Sequence, residues 1–100
     1  MDSNGYNKSI MNTDPDHDFL TGKEVIQTVR HEVYFGPNRK ISKEHGFWIY
    51  LSPASHRAVH AGDKVEGVSV DMMLKQAVQR RFELWHSRDD FMKLIGRNYL

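Results

Sequence analysis

The hydrophobic and polar positions divide the chain into stretches of different rhythm. From Met1 to about Asp18 there is none: Asn, Asp and Ser dominate, Pro15 interrupts, and no apolar position recurs at a helical or strand spacing. This predicts a flexible N-terminal tail over 1–18. Thr21-Gly22-Lys23 signals a turn. Glu24 to Phe35 is then rich in β-branched and aromatic residues and predicts a strand, broken once near Thr28 and closed by Gly36-Pro37-Asn38. Arg39 to Gly46 is polar and basic, the pattern of a loop or one short helical turn. The apolar run Phe47-Trp48-Ile49-Tyr50-Leu51 predicts a second strand, with Trp48 and Tyr50 read as core.

Three helices follow. Ser52 is a capping residue and Pro53 suits the first helical position, where its missing N–H is not needed. That helix is expected to run from Pro53 to His60 or Ala61, with Gly62 ending it in the left-handed conformation. Asp63 to Gly67 reads as a linker. Met73, Leu74, Ala77, Val78, Phe82 and Trp85 recur at three- and four-residue spacing, predicting an amphipathic helix from about Asp71 to Trp85. Ser87 with Asp90 resembles a capping box for a last helix, Arg88 to Ile95, stopped by Gly96. The expected architecture is α+β over 19–100: two strands, a short helix, then two C-terminal helices.

Composition narrows the chemistry. There is no cysteine, which excludes disulfides, thiol nucleophiles and cysteine zinc sites, and fits a reducing cytoplasm. No apolar run approaches the roughly 20 residues that cross a bilayer, and the polar, acidic start shows no secretory signal. The net charge of +1 does not by itself announce a nucleic-acid partner. Its distribution is uneven. Residues 1–20 hold one Lys against four Asp, whereas residues 21–64 hold seven basic residues against four acidic ones, together with four of the six histidines.

Within that basic segment, His56 and His60 are four apart on the predicted helix, so they share a face with Cβ atoms about 5–6 Å apart. Two imidazoles so placed can hold one divalent ion; two surface histidines sharing a face by chance give the same spacing. His31 and Glu32 close the first strand. An imidazole is the usual base for activating water, and the adjacent carboxylate can ligate a metal or take the base role itself. Alternation puts the two on opposite strand faces unless the strand ends or twists there. Arg30, Arg39, Lys40, Lys43 and Arg57 flank both histidine groups and suit a phosphodiester, or simply a solvated loop. His45 is a loop residue within reach of the others, and His17 and His86 stand apart.

The order His31-Glu32-Val33-Tyr34-Phe35-Gly36, Asn38-Arg39-Lys40, Gly46-Phe47, Ile49-Tyr50-Leu51-Ser52-Pro53, His56-Arg57 and His60 resembles the HNH nuclease-like small proteins of bacteriophages and prophages, within the ββα-metal (His-Me finger) superfamily. The ending from Ser87 to Leu100 is also similar, so the likeness spans about residues 14–100. It implies a ββα-metal hairpin and helix, and a metal-dependent endonuclease acting on DNA in the cytoplasm of a bacterial host. His56 and His60 match metal positions. His31 and Glu32 match the first-strand pair, of which one touches the metal and the other is general base. The metal would be Mg, Mn, Ni or Zn, with Arg39, Lys40 and Arg57 on the nucleic-acid backbone.

Three departures accompany the likeness. Ser52 and Ser55 stand where relatives often carry a cysteine pair, and no cysteine lies near Asp16–Thr21 at the other pair, so a structural zinc is not expected. The first-strand pair is His-Glu rather than His-His. The middle Asn should fall near Gly46-Phe47, and neither can replace it. These departures keep open a second reading, a catalytically inactive DNA- or protein-binding accessory protein. A plain structural domain with chance histidines is the third.

Overall fold

The computed structural model describes residues 1–100 and is α+β. Strands β1 (Val29–Glu32) and β2 (Trp48–Leu51) form an antiparallel ribbon in which His31 lies opposite Ile49 and Glu32 opposite Trp48. Between them a 3-10 turn, Gly36–Asn38, leads into α1 (Arg39–His45). Helix α2 (Pro53–Ala61) follows β2 directly. A hairpin of β3 (Lys64–Val65) and β4 (Val68–Ser69) then precedes α3 (Val70–Phe82) and α4 (Arg88–Ile95).

The core lies between the inner face of the ribbon and the C-terminal helices. Ile49 and Leu51 of β2 and Val59 of α2 meet Val70, Leu74, Val78 and Phe82 of α3, with Phe47, Phe91, Ile95 and Tyr34 completing the cluster. The apolar core residues of α3 therefore run as a stripe at a spacing of four, with Lys75 and Gln79 buried beside them. Met73, at 41% exposed, and Trp85, at 64%, lie outside it. The helix stops at Phe82, short of the expected Trp85, because Leu84 and Trp85 donate three residues back, to Arg81 and Phe82, and tighten the chain into a turn.

The helix boundaries set by capping chemistry stand where expected. Ser52 Oγ accepts from Ser55 N at 3.1 Å, and Gly62 has φ 76°. Ser87 and Asp90 form the reciprocal capping box, and Gly96 closes α4 at φ 87°. Three segments differ from expectation. Residues 24–28 are not strand: β2 offers four residues of pairing, so Val25 bonds to Asp16 O and Glu24 bridges to His17 instead. Arg39–His45 is a true helix rather than a loop, although Ser42 is its only buried residue. The linker 63–67 forms a two-residue hairpin at Glu66-Gly67, both with positive φ, as a type I′ turn requires.

The largest correction concerns residues 1–18, expected as a flexible tail. They are laid along the outer edge of β2. Ser9 Oγ donates to Trp48 O, Thr13 Oγ1 accepts from Tyr50 N, and Phe19 N donates to Tyr50 O. These are backbone groups that a two-stranded ribbon leaves unpaired, and an uncovered edge invites foreign pairing. Asn7 N and Ile10 N add bonds to Lys43 O and Gly46 O. The approach is so close at Gly46 (φ 74°) that a Cβ there would collide with the Lys8 carbonyl. Trp48 and Tyr50 accordingly face this segment rather than the core, and Arg30 lies over both rings.

Candidate metal centre

His31 points inward from β1, opposite Ile49 in the ribbon, and is 2% exposed. Helix α2 begins immediately after β2, so its body lies beside β1 and carries His56 and His60 on the face toward His31. The His56 and His60 Nε2 atoms are 3.1 Å apart. The His31 ring centroid is 5.2 Å from that of His56 and 5.4 Å from that of His60. One ligand nitrogen from each residue lies within 4.8 Å of the others. Two imidazoles on a tetrahedral ion at 2.0–2.1 Å would be about 3.3 Å apart, close to the observed helix pair. The three residues form a group that can hold one metal ion.

The electrostatics suit that role. His31 Nε2 is buried and has no hydrogen-bond partner, which is rare for a buried polar atom and points to a missing ligand. Burial, reinforced by His56, His60 and Lys75, pushes the His31 pKa down to about 3. Burial and His60 also lower that of His56, against an opposing pull from Glu32. Imidazoles held neutral are the form that binds a cation.

Glu32 lines the same cleft while keeping its register opposite Trp48. Its Oε1 accepts from the Tyr6 hydroxyl at 2.9 Å and lies 3.5 Å from Arg39 Nε. Burial and the Glu32 carboxylate together push Tyr6 up to about 12, so its proton stays on the phenol and available to donate. Phe35 forms an apolar wall, its ring centroid 5.4 Å from that of His60.

The structure thus gathers His31, Glu32, Arg39, His56 and His60 around one cleft, with Arg30 at its rim. It does not gather the rest. Lys40 lines the neighbouring cavity and pairs with Glu44 at 3.8 Å. Arg57 is exposed and faces none of the cavities. His45 lies with His86 in a separate depression, and His17 pairs with Asp14. Tyr6 was not foreseeable: it sits in a polar stretch with no periodicity and reaches Glu32 only because residues 1–18 are ordered.

The Ser52 and Ser55 positions have a different use. Both hydroxyls donate to Asp18 Oδ2, and so does Thr21 Oγ1, while Leu20 N donates to Oδ1. Asp18-x-x-Thr21 and Ser52-x-x-Ser55 thus meet in a buried carboxylate–hydroxyl knot that fixes the start of α2. Burial alone would raise the Asp18 pKa; the bonds from Ser55, Ser52, Leu20 and Thr21 outweigh it and bring the pKa below the usual value.

No helix is long and apolar enough to cross a membrane. Comparison with known protein families, curated proteins and solved structures finds no match to this chain.

Proposed function

We propose that this protein is a metal-dependent endonuclease of the ββα-metal kind, acting on DNA in the cytoplasm of a phage- or prophage-bearing bacterium. The observation that carries the reading is the convergence of His31, His56 and His60, with a buried and unpartnered nitrogen, at the junction of a two-stranded ribbon and a helix. All three histidines are assigned as ligands. A set of imidazoles without carboxylate suits Zn²⁺ or Ni²⁺ better than Mg²⁺, which prefers six oxygens. A divalent ion bound there would polarise the scissile phosphate and offset its developing charge.

The protein's own side chains supply the rest. With His31 a ligand, Glu32 is the residue left to take the proton of the attacking water. Tyr6 and Arg39 both engage Oε1, which fixes the carboxylate's orientation in the cleft. Arg39 holds the phosphodiester without reading its sequence, and Lys40 extends that cationic track beyond the cleft. The resemblance to small phage HNH-like proteins supports the same assignment.

A second reading, an inactive DNA- or protein-binding accessory module, is favoured by one observation: no asparagine lines the cleft. Asn38 is spent on a bond to Ile95 O, and Phe47 is buried in the core. Incubation of plasmid with the protein and Mg²⁺, Mn²⁺, Ni²⁺ or Zn²⁺ decides between them. The nuclease reading expects nicking with at least one of these metals that is lost in Glu32→Gln and His56→Ala. Binding without nicking under all four supports the inactive module.

A further inference from the structure

The histidine cleft adjoins two larger cavities of opposite character. Arg39 connects it to one of about 480 Å³, whose charged lining is Arg39, Lys40, Lys43 and a single carboxylate, Glu44. Tyr6 and Arg30 connect it to one of about 490 Å³ between the outer face of the ribbon and residues 1–15. In this second cavity Lys8 and Arg30 are balanced by Asp2 and Asp14. Arg30 Nη1 is already bound to Asp2 at 2.7 Å. The same guanidinium lies 4.5 Å from the ring centroid of Tyr6, 4.9 Å from Trp48 and 5.8 Å from Tyr50.

A phosphate requires an excess of cationic charge, and the first cavity, with three cationic side chains against one carboxylate, offers it. A nucleobase requires ring faces and planar cations to stack on, without net charge. The second cavity has that composition: half-buried Tyr6 and Tyr50, a guanidinium held in plane by Trp48 beneath it, and balanced charge. Because Tyr6 and Arg30 line both the histidine cleft and this cavity, a strand whose backbone followed Arg39 and Lys43 and whose scissile phosphate reached the histidines would bring a neighbouring nucleotide to it. A base can enter only if it has left the duplex stack.

We infer that the aromatic cavity is a subsite for one unpaired nucleobase, so that the metal centre acts on single-stranded DNA or on a locally melted junction. This rests on the nuclease reading and adds the substrate class. Stacking on a protein aromatic typically contributes a factor of about 5 to 150 in affinity.

The test is fluorescence anisotropy with the whole chain, a labelled 12-nucleotide strand, its duplex, and a set of strands each carrying one abasic position. Each is measured with chelator and again with Zn²⁺. The subsite expects the single strand to bind about 5- to 150-fold tighter than the duplex, with one abasic position losing that factor. Tyr50→Ala should abolish the abasic effect, and Tyr50→Phe should keep it. The abasic series uses the unaltered protein, so the result survives if Tyr50→Ala does not fold. Equal or tighter duplex binding, or indifference to every abasic position, overturns the subsite. If the protein nicks duplex plasmid while showing that indifference, the nuclease reading stands alone. If it prefers the intact single strand yet cleaves nothing under any metal, the subsite stands and the nuclease reading falls. Absence of binding to either form removes both.

Discussion

Helix α2 serves two polar clusters, one at its first turn and one along its body, and they are built on opposite terms. At the first turn, both oxygens of Asp18 have donors, and three hydroxyls from two distant segments converge on one of them. Along the body, His31 Nε2 has no partner, and the side chains of His56 and His60 hydrogen-bond only to each other. Each cluster has one buried member, Asp18 in the first and His31 in the second, that is costly if unsatisfied. The satisfied one holds the fold together. The unsatisfied one is stable because burial holds His31 neutral, and it gains most from an incoming cation. In a chain of this size, where net stability is a small difference of large terms, that contrast separates structure from function better than residue type does.

Removing one histidine gives the largest expected effect. A full zinc site contributes roughly 10 kcal/mol or more, about 3 per ligand, so His60→Ala should weaken Zn²⁺ binding by about 100-fold or more. The metal-free variant should unfold within about 0.5 kcal/mol of wild type, because His60 is exposed and lies outside the core cluster. Isothermal titration and urea denaturation measure the two quantities. A large loss of metal-free stability would erase the proposed division between the clusters.

Asp18→Ala should do the reverse. It strands the half-buried hydroxyls of Ser52 and Ser55, the exposed hydroxyl of Thr21 and the N–H of Leu20, at about 2–3 kcal/mol in all. For a domain of this length that lowers Tm by roughly 8–20 °C. Folded molecules should still bind one Zn²⁺ equivalent. Calorimetric unfolding and metal stoichiometry on the same sample check this, and a knot variant of wild-type Tm would show that the carboxylate is dispensable.

What the sequence could announce follows the same division. Helix α2 was legible from Ser52-Pro53 and Gly62, and α4 from Ser87, Asp90 and Gly96, because capping is local chemistry written in a few residues. The His56–His60 pair was legible from spacing. Helix α1 was not, since it buries only Ser42 and has no apolar stripe to reveal its period. Residues 1–18 were least legible. They are held by hydroxyl, amide and backbone bonds to β2 and Gly46, and such bonds leave no periodic trace. Misreading them as a tail concealed Tyr6, Asp18 and the covered edge of the ribbon together.

Acid separates the clusters by pH window. His31 is held neutral with its pKa near 3, whereas the unfolded chain takes up that proton near 6.5. A depressed pKa means that the stability it contributes is present above 6.5 and declines as pH falls. Between pH 7.5 and 5 the metal-free protein should lose about 2 kcal/mol on this account. His56 shifts in the same direction, and exposed His17, raised by Asp14, opposes it. Asp18 contributes only lower down: its pKa is depressed below 3.8, so its share persists to about pH 4 and is lost beneath it. Denaturation midpoints across pH should therefore fall in two stages, His31→Gln flattening the upper one and Asp18→Asn the lower. A single stage untouched by His31→Gln would contradict the account.

Tyr6→Phe sharpens the comparison most finely, because Tyr6 belongs to the ordered N-terminal segment yet serves the cleft. Its hydroxyl donates to Glu32 Oε1, and its ring packs edge-on against Trp48 at 5.5 Å. The substitution removes the first contact and keeps the second. One hydrogen bond to a charged acceptor is worth about 1.5–3 kcal/mol, so stability should fall by no more than that. Zn²⁺ affinity should not change, since no histidine is touched. If Glu32 acts on the attacking water, the freed carboxylate should instead lower the nicking rate several-fold at unchanged metal affinity. Single-turnover nicking beside metal titration separates the two. An equal fall in both would place Tyr6 with the structural knot, and would mean that the N-terminal segment supports the metal centre only by supporting the fold.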